Sequence, residues 1–552
     1  MEINTYKDAV FAVKRGFHII GLTGYTGSGC STFSNLLSKK NKPKLPDYDA
    51  IKGFDTSEGK SKRDKRIYDK LVRHWNQLKW EPFVPIEIST VIFAFVIQRV
   101  QEKTKCDSSL LEIKQFIKGK EKRLQYLTYI LSTKKISKNQ NDKIIDSYNL
   151  CKSLYSEFKQ KKRKENKFDE LITLMQNYGD EIRKYGKVCP TERTSISPKN
   201  LFVLPEAIRR IIKSFREKDY SYFAIDSFRN PFEIEFFKWR YSEFYLVAIL
   251  REKEDRHKGL NLLGDSLKEL DKRESGERFQ RSSENIESWV VSQDIKQCLN
   301  KADVYIENQT DSTSTYPHLR FSLIKVITLA KYPGCVPPTR DERSMQVAMT
   351  ARQISGCISR KVGAVVVNKG GYIIGIGWND PPRGQTPCSL RTGKDLVDSP
   401  DKTVFSEYEL SSDFVSHIRT NCYTKNPFCF RSELPIVLNE QNGAKREFTR
   451  ALHAEENALF QANQISGSTL SGATLYTTDS PCTLCAKKIY QLGIERIVYI
   501  EDYPGIAIKQ TINAGDRKIT VSRFQGIIGS AYFRLYNSLL SEKDLIQLYI
   551  KT

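Results

Sequence analysis

The chain has 552 residues, 88 Lys and Arg against 65 Asp and Glu, a formal charge of +23, and is 39% hydrophobic and 28% charged. That balance excludes a disordered chain and gives length for roughly two or three domains, each with its own core. The charge predicts attraction to polyanions without naming one, and the twelve cysteines, which form no regular framework, predict a soluble protein of the reducing cytoplasm with thiols that are free or metal-bound.

No signal-peptide pattern is legible at the start, and the apolar run Val91–Ile97 is too short to cross a membrane. Phe17–Thr23 reads as a buried strand. The turn Gly24-Tyr25-Thr26-Gly27-Ser28-Gly29-Cys30-Ser31-Thr32 follows, and then a helical pattern, Phe33–Leu37. A strand, a glycine-rich turn and a helix make a phosphate cradle from backbone N–H groups. Gly24, Gly27, Ser28, Gly29, Cys30, Ser31 and Thr32 are its candidate nucleotide-binding residues.

The spacing Gly24-x4-Gly29-x-Ser31 is that of a P-loop, yet Cys30 stands at the lysine position. That lysine normally reaches the β- and γ-phosphates. The pattern therefore predicts a bound nucleotide with Mg2+ and no efficient phosphoryl transfer. The competing reading is a tight turn that binds nothing. Tyr222–Asp226 reads as a strand ending in an acid, and with Ser227–Glu233 it resembles P-loop kinases of small metabolites; Asp226 is the Walker B candidate.

Phe244–Leu250 and Ala302–Glu307 are further strands, so residues 1–334 are expected to form a doubly wound α/β sheet. A lysine-rich helical insertion, at about 100–200, interrupts it. Positions 101–200 hold 23 basic and 13 acidic residues. This insertion is either a nucleic-acid contact or a solvated helical hairpin, with Tyr126, Tyr129, Tyr148 and Tyr155 available to stack or to pack. Asn308–Thr315 is a polar turn, Leu319–Ala330 a helix, and the Pro/Gly cluster from Tyr332 to Pro338 places a domain boundary near Gly334.

Residues 335–552 open on a helix, Arg340–Cys357, followed by a hairpin of Val362–Asn368 and Tyr372–Trp378. After Gly377-Trp378-Asn379-Asp380-Pro381-Pro382-Arg383-Gly384 comes a polar insertion, and then the helix of His453-Ala454-Glu455. The strand Ala473–Thr477, the helix of Pro481-Cys482-Thr483-Leu484-Cys485 and the strand Arg496–Ile500 complete a mixed sheet carrying two metal-bearing helices. Ser480 is the expected N-cap and Pro481 the first helical residue, which would put both thiols in the first turn. One histidine, two cysteines and a non-ligand glutamate form the signature of a zinc-dependent nucleobase deaminase. His453, Cys482 and Cys485 are the metal candidates, the fourth position is left for water, and Glu455 is the proton carrier.

Residues 336–552 resemble deoxycytidylate deaminases of the cytidine deaminase superfamily. The matching stretches are Ala351–Ser355, Val362–Val367, Gly377–Gly384, His453–Leu459 and Leu475–Cys485. With the P-loop-like first half, the chain resembles bacterial antiviral deoxycytidylate deaminases. That resemblance implies Zn2+-dependent deamination of dCMP or dCTP to dUMP or dUTP with release of ammonia. It also implies depletion of the nucleotide pool in phage infection, an inhibitory small RNA as partner, and a homo-oligomer such as a hexamer. By the same resemblance Asn379, Arg383, Ala454, Ser480 and Tyr503 meet the substrate. Arg360 and Lys361 are weaker candidates for its phosphate. Cys388, His417, Cys422 and Cys429 are either a second, structural zinc set or four unrelated residues. Two other functions compete: a polynucleotide cytidine deaminase, favoured by the net charge, and a nucleotide- or RNA-sensing regulator in which the first half matters most.

Overall fold

A computed structural model describes residues 17–51, 62–102, 108–132, 138–189, 197–260, 264–275, 286–308, 316–437, 449–466, 470–503, 505–544 and 547. The expected turn Asn308–Thr315 lies outside them beyond Asn308. The chain forms two compact units, one built on residues up to Pro337 with the segment from Ser530 onward, the other on Pro338–Gly529.

In the first unit, β1 (His18–Thr23), β2 (Val84–Glu87), β3 (Tyr222–Phe228), β4 (Phe244–Leu250) and β5 (Val304–Glu307) pair in parallel in the order β5-β4-β1-β3-β2. β1 lies between β3 and β4, with Ile19 level with Phe223 on one side and Phe244 on the other. Every residue of β1 and β4 is buried, as a parallel sheet covered on both faces demands. The chain leaves β1 toward β2 on one side and later returns to β4 on the other. The turn at its carboxyl end therefore sits at a switch of strand order, where open α/β sheets bind ligands.

The apolar run Val91–Ile97 lies in the helix Ile88–Gln101, which is buried almost all round. Against that helix pack Glu121–Ser132, Asn141–Lys164 and Phe168–Tyr185. The lysine-rich region is thus a helical layer with its own core. Tyr148 and Tyr155 are buried in it, whereas Tyr129 is exposed. Lys161 and Lys162 pair with Glu112, and Lys152 and Lys159 with Glu87, so part of the positive charge is matched locally. No helix among the described residues is long and apolar enough to cross a membrane.

The second unit starts with the helix Arg340–Ile354, held by a reciprocal cap in which Thr339 and Glu342 satisfy each other's backbone N–H. The helix stops at Ile354, three residues short of the expected end. Its sheet runs β10 (Thr520–Arg523), β9 (Arg496–Glu501), β8 (Thr474–Asp479), β6 (Gly363–Val367), β7 (Ile373–Trp378). β6 pairs antiparallel with both β7 and β8, while β8, β9 and β10 are parallel.

The insertion between β7 and His453 has a small core of Leu396, Phe405, Phe414, Ile418 and Phe428. Beside it lies a buried ion pair, Arg391–Glu409, 1% and 0% exposed, to which Arg450 adds a second guanidinium at 2.9 Å.

Candidate metal centre

The helix Ala454–Ser466 packs on β7, and the reason is local. A Cβ on Gly377 would stand 2.1 Å from the Ala454 carbonyl oxygen and 2.3 Å from the Ala458 nitrogen. Only a glycine lets helix and strand approach so closely. His453 precedes the helix, its N–H donating to Glu456 Oε2 at 2.8 Å and its carbonyl accepting from Asn457 N at 3.0 Å. The imidazole is thereby aimed at the end of β8.

Cys482 and Cys485 follow β8, but the helix there is Thr483–Gln491, with Cys482 as its N-cap. The expected cap, Ser480, is used otherwise: its Oγ accepts from Tyr503 N at 2.8 Å and its own N–H donates to the Glu501 carbonyl at 2.8 Å. Ser480 and Pro481 therefore belong to the connection out of β8, and only Cys485 lies within the first turn.

The three candidate ligands converge. His453 Nδ1 is 3.2 Å from both Cys482 Sγ and Cys485 Sγ, and the three donor atoms lie within 4.8 Å of one another. A tetrahedral ion with bonds of about 2.0–2.3 Å places such atoms ~3.5–3.8 Å apart, so the donor set fits zinc in chemistry and in span. The hydrogen bond from Cys485 holds the Cys482 thiol well below its ordinary value, and the same bond, with burial, pushes Cys485 up. Both sulfurs bind a cation as thiolates, so metal binding releases protons.

Glu455, 5% exposed, accepts from Cys485 Sγ at 3.7 Å. Burial pushes its carboxyl up to about 7. The arrangement can therefore hold a cation through two thiolates and one imidazole and present, beside it, a carboxyl able to carry a proton.

Around this centre the side chains are linked. Asn379 Oδ1 accepts from Val362 N at 2.6 Å and from Ser355 Oγ at 2.9 Å, and its Nδ2 donates to the Arg360 carbonyl at 2.7 Å. Its amide oxygen is committed to the loop before β6, and what it can still offer a ligand is its second Nδ2 hydrogen. Arg360, expected at a phosphate, pairs instead with Asp479 and with Glu501 at 2.9 Å, and lies 5.3 Å from the centre of the Tyr503 ring. Arg383 and Lys361 are exposed, and Ala454 is buried under the helix start. Asp479, Glu501 and Asn457 are neighbours given no role from the sequence, although Asn457 and Asp479 lie within the matching stretches His453–Leu459 and Leu475–Cys485.

The four residues Cys388, His417, Cys422 and Cys429 do not gather. Among the described residues only His453, Cys482 and Cys485 form a metal-ligand group. His417 Nε2 is 2.9 Å from Glu433, while Cys388 Sγ accepts from Arg391 at 3.1 Å. Of the two readings, four unrelated residues is the one this geometry supports: His417 and Cys422 both meet Glu433, and Cys388 meets Arg391.

In the first unit, the Gly24–Thr32 turn joins β1 to the helix Cys30–Ser38. Gly29 is its N-cap at φ +112°, and a Cβ there would meet Asn308 Nδ2 at 2.4 Å. Ser31 Oγ donates to Asp226 Oδ2 at 2.8 Å, bringing together two of the expected nucleotide-binding residues. Three carbonyls of the turn are taken: Thr26 by Arg256 at 3.2 Å, Gly27 by Arg251 at 3.4 Å and Ser28 by Asn308 at 2.8 Å. In trans peptides the next N–H points the opposite way, so the N–H groups of Gly27 and Gly29 turn away from those partners. Cys30 is buried, and burial, with Asp226 nearby, pushes its thiol up to about 12.

The comparisons agree on the second unit. A family profile described as the cytidine and deoxycytidylate deaminase zinc-binding region matches residues 338–501. The deoxycytidylate deaminase of Enterobacteria phage T2 is 34% identical over 163 residues, 29% of this chain and 78% of the phage protein. That of Mycobacterium phage D29 is 33% identical over 162 residues, 29% of this chain and 94% of the phage protein. That of Schizosaccharomyces pombe is 29% identical over 171 residues, 31% of this chain and 40% of the yeast protein.

Proposed function

This chain belongs to the deoxycytidylate deaminase family, and on that premise we propose that its second unit hydrolyses the C4 amino group of a free deoxycytidine nucleotide, dCMP or dCTP, giving dUMP or dUTP and ammonia. The observation that carries the reading is the convergence of His453 Nδ1, Cys482 Sγ and Cys485 Sγ next to the buried carboxyl of Glu455. His453, Cys482 and Cys485 would hold a zinc ion, which would supply Lewis acidity that lowers the pKa of water toward ~7.

Glu455 Oε2 takes the proton that the attacking water gives up, and passes it to N3 of cytosine as the oxygen bonds to C4. The same carboxylate then takes the second proton, from the new C4 hydroxyl, and delivers it to the amino nitrogen; the C4–N bond breaks, ammonia leaves and C4 becomes the uracil carbonyl. Burial suits Glu455 to both tasks, since a carboxyl titrating near 7 takes and returns a proton with little driving force either way. Asn379, fixed by three hydrogen bonds at the end of β7, offers its remaining Nδ2 hydrogen to the sugar or base. Tyr503 offers a ring face next to the centre, and the exposed Arg383 offers a guanidinium to the phosphate. Ala454, buried at the helix start, and Ser480, whose hydroxyl accepts from Tyr503 N at 2.8 Å, are the remaining substrate contacts that the resemblance implies.

The decisive measurement is ammonia release from dCMP, dCTP, single-stranded DNA and RNA by wild type and Glu455→Ala. Activity on free nucleotides that vanishes in the variant supports the reading. Activity on polymers alone reverses it in favour of an editing enzyme.

For the first unit we read the Gly24–Thr32 turn as a phosphate cradle for a nucleotide with Mg2+. Its support is the turn's place at the strand-order switch beside β1 and the Ser31–Asp226 hydrogen bond of 2.8 Å. Cys30, at the lysine position, argues for binding without efficient transfer. The wider reading, depletion of a nucleotide pool in phage infection by a cytoplasmic oligomer under control of a small RNA, rests on the resemblance of the two-part layout to the bacterial antiviral enzymes.

A further inference from the structure

Glu274 ends the helix Gly264–Glu274 and is 0% exposed. Its Oε2 accepts from the Thr26 backbone N–H at 2.9 Å. Its Oε1 accepts from the Thr26 hydroxyl, from Arg229 Nη1, and from Gln176 Nε2 at 3.5 Å. Arg229 Nη2 also donates to Thr26 Oγ1 at 2.8 Å. A glycine-rich turn at the head of a helix has therefore captured an anion, and the anion comes from its own chain, 248 residues away.

We propose that Thr26 and Arg229 form the phosphate seat of this turn, with Arg229 standing in for the lysine that Cys30 replaces, and that a phosphoryl group binds by displacing the Glu274 carboxylate. The proposal rests on reading Gly24–Thr32 as a phosphate cradle and adds its missing cation and its internal competitor. A phosphoryl group brings more charge and more acceptor oxygens than a carboxylate. It also meets the N–H groups of Gly27 and Gly29 and the positive end of the helix Cys30–Ser38. Arg229 keeps its fork on either anion.

Displacement does not require the helix to leave. Asp271, one turn earlier, holds Arg256 through two 2.9 Å bonds, and Arg256 holds the Thr26 carbonyl at 3.2 Å. That anchor stays, while Glu274, freed from the Thr26 N–H, swings away and loosens the last turn of its helix.

The test uses full-length protein and inorganic tripolyphosphate, followed by calorimetry. Glu274→Gln, which keeps the shape but removes the charge, binds about ten-fold tighter than wild type, because the internal competitor is gone. Glu274→Gln with Arg229→Met loses that gain. In wild type, saturating tripolyphosphate speeds amide exchange around residues 270–275 and slows it around 24–31, a readout that needs no variant to fold. Equal affinity in wild type and Glu274→Gln, abolished in both by Gly29→Ala, with no change in exchange around 270–275, overturns the displacement and leaves the cradle. Absence of binding in every form, or binding indifferent to Gly29→Ala, overturns both.

Discussion

Asn457 Nδ2 donates to the Trp378 carbonyl oxygen at 2.7 Å, fastening the helix that carries Glu455 to the last residue of β7. Asn379 is the next residue, so one bond sets the spacing between the Glu455 carboxyl and the amide proposed to meet the substrate. Asn457→Ala leaves that carbonyl without its donor, at a cost of about 1–3 kcal/mol. The expected outcome is a lowered melting temperature and a KM for dCMP that rises more than kcat falls.

The same helix–strand contact makes Gly377 intolerant of any side chain. Gly377→Ala puts a methyl against the backbone atoms of Ala454 and Ala458, neither of which is a flexible side-chain end. Overpacking of this kind costs about 1–3 kcal/mol or more. We expect a clear drop in melting temperature and in deaminase activity; unchanged stability and activity would contradict the packing described.

Glu455→Gln removes proton transfer and leaves the donor trio intact. kcat is expected to fall by roughly 10²–10⁴, while metal analysis still finds one zinc per chain. A chelator-stripped wild type loses activity and regains it with zinc, whereas stripped Cys485→Ala does not.

In the insertion, the buried Arg391–Glu409 pair cannot lose one partner cheaply. Arg391→Met leaves Glu409 with the half-buried Arg450 as its remaining guanidinium, beside the Ser406 N–H and hydroxyl, and a broken buried pair costs about 3–5 kcal/mol. Arg391→Met with Glu409→Leu should be less destabilised than the single change, which denaturant titration of the three proteins will show.

Cys30 gives a pH-dependent expectation. Burial raises its thiol pKa to about 12, so the folded state favours the neutral form and binds its proton through the physiological range. At pH 8 only ~10⁻⁴ of it is thiolate, and alkylation requires thiolate. Mass spectrometry after iodoacetamide at pH 8 should find Cys30 unmodified in native protein and modified in urea, with the half-exposed Cys357 modified in both.

The metal candidates were legible because their chemistry is written in short, ordered motifs: His453 with Glu455 two residues on, and two cysteines three apart. The glycine-rich turn was legible for the same reason. What the motifs could not convey is where polar side chains are spent. Ser480 looks like a helix cap, yet its hydroxyl takes the Tyr503 N–H, and the helix begins at Thr483. Arg360 looks like a phosphate ligand, yet two carboxylates from the ends of β8 and β9 claim it. Those carboxylates meet because Asp479 and Glu501 are register partners in a parallel pair, a fact of sheet topology. Glu274 lies in an unremarkable charged helix, and nothing in its neighbourhood of sequence points to Thr26.

The two centres differ in how much chain each must wait for. His453 finds its sulfur partners 29 and 32 residues later, so that cluster can close almost as soon as it leaves the ribosome. Thr26 waits for Glu274 across 248 residues, which at ~5–20 residues per second is on the order of 10–50 s of synthesis. Arg251, Arg256 and Asn308, which hold the carbonyls of the same turn, arrive equally late, so the turn takes its final form only when nearly the whole first unit has been made.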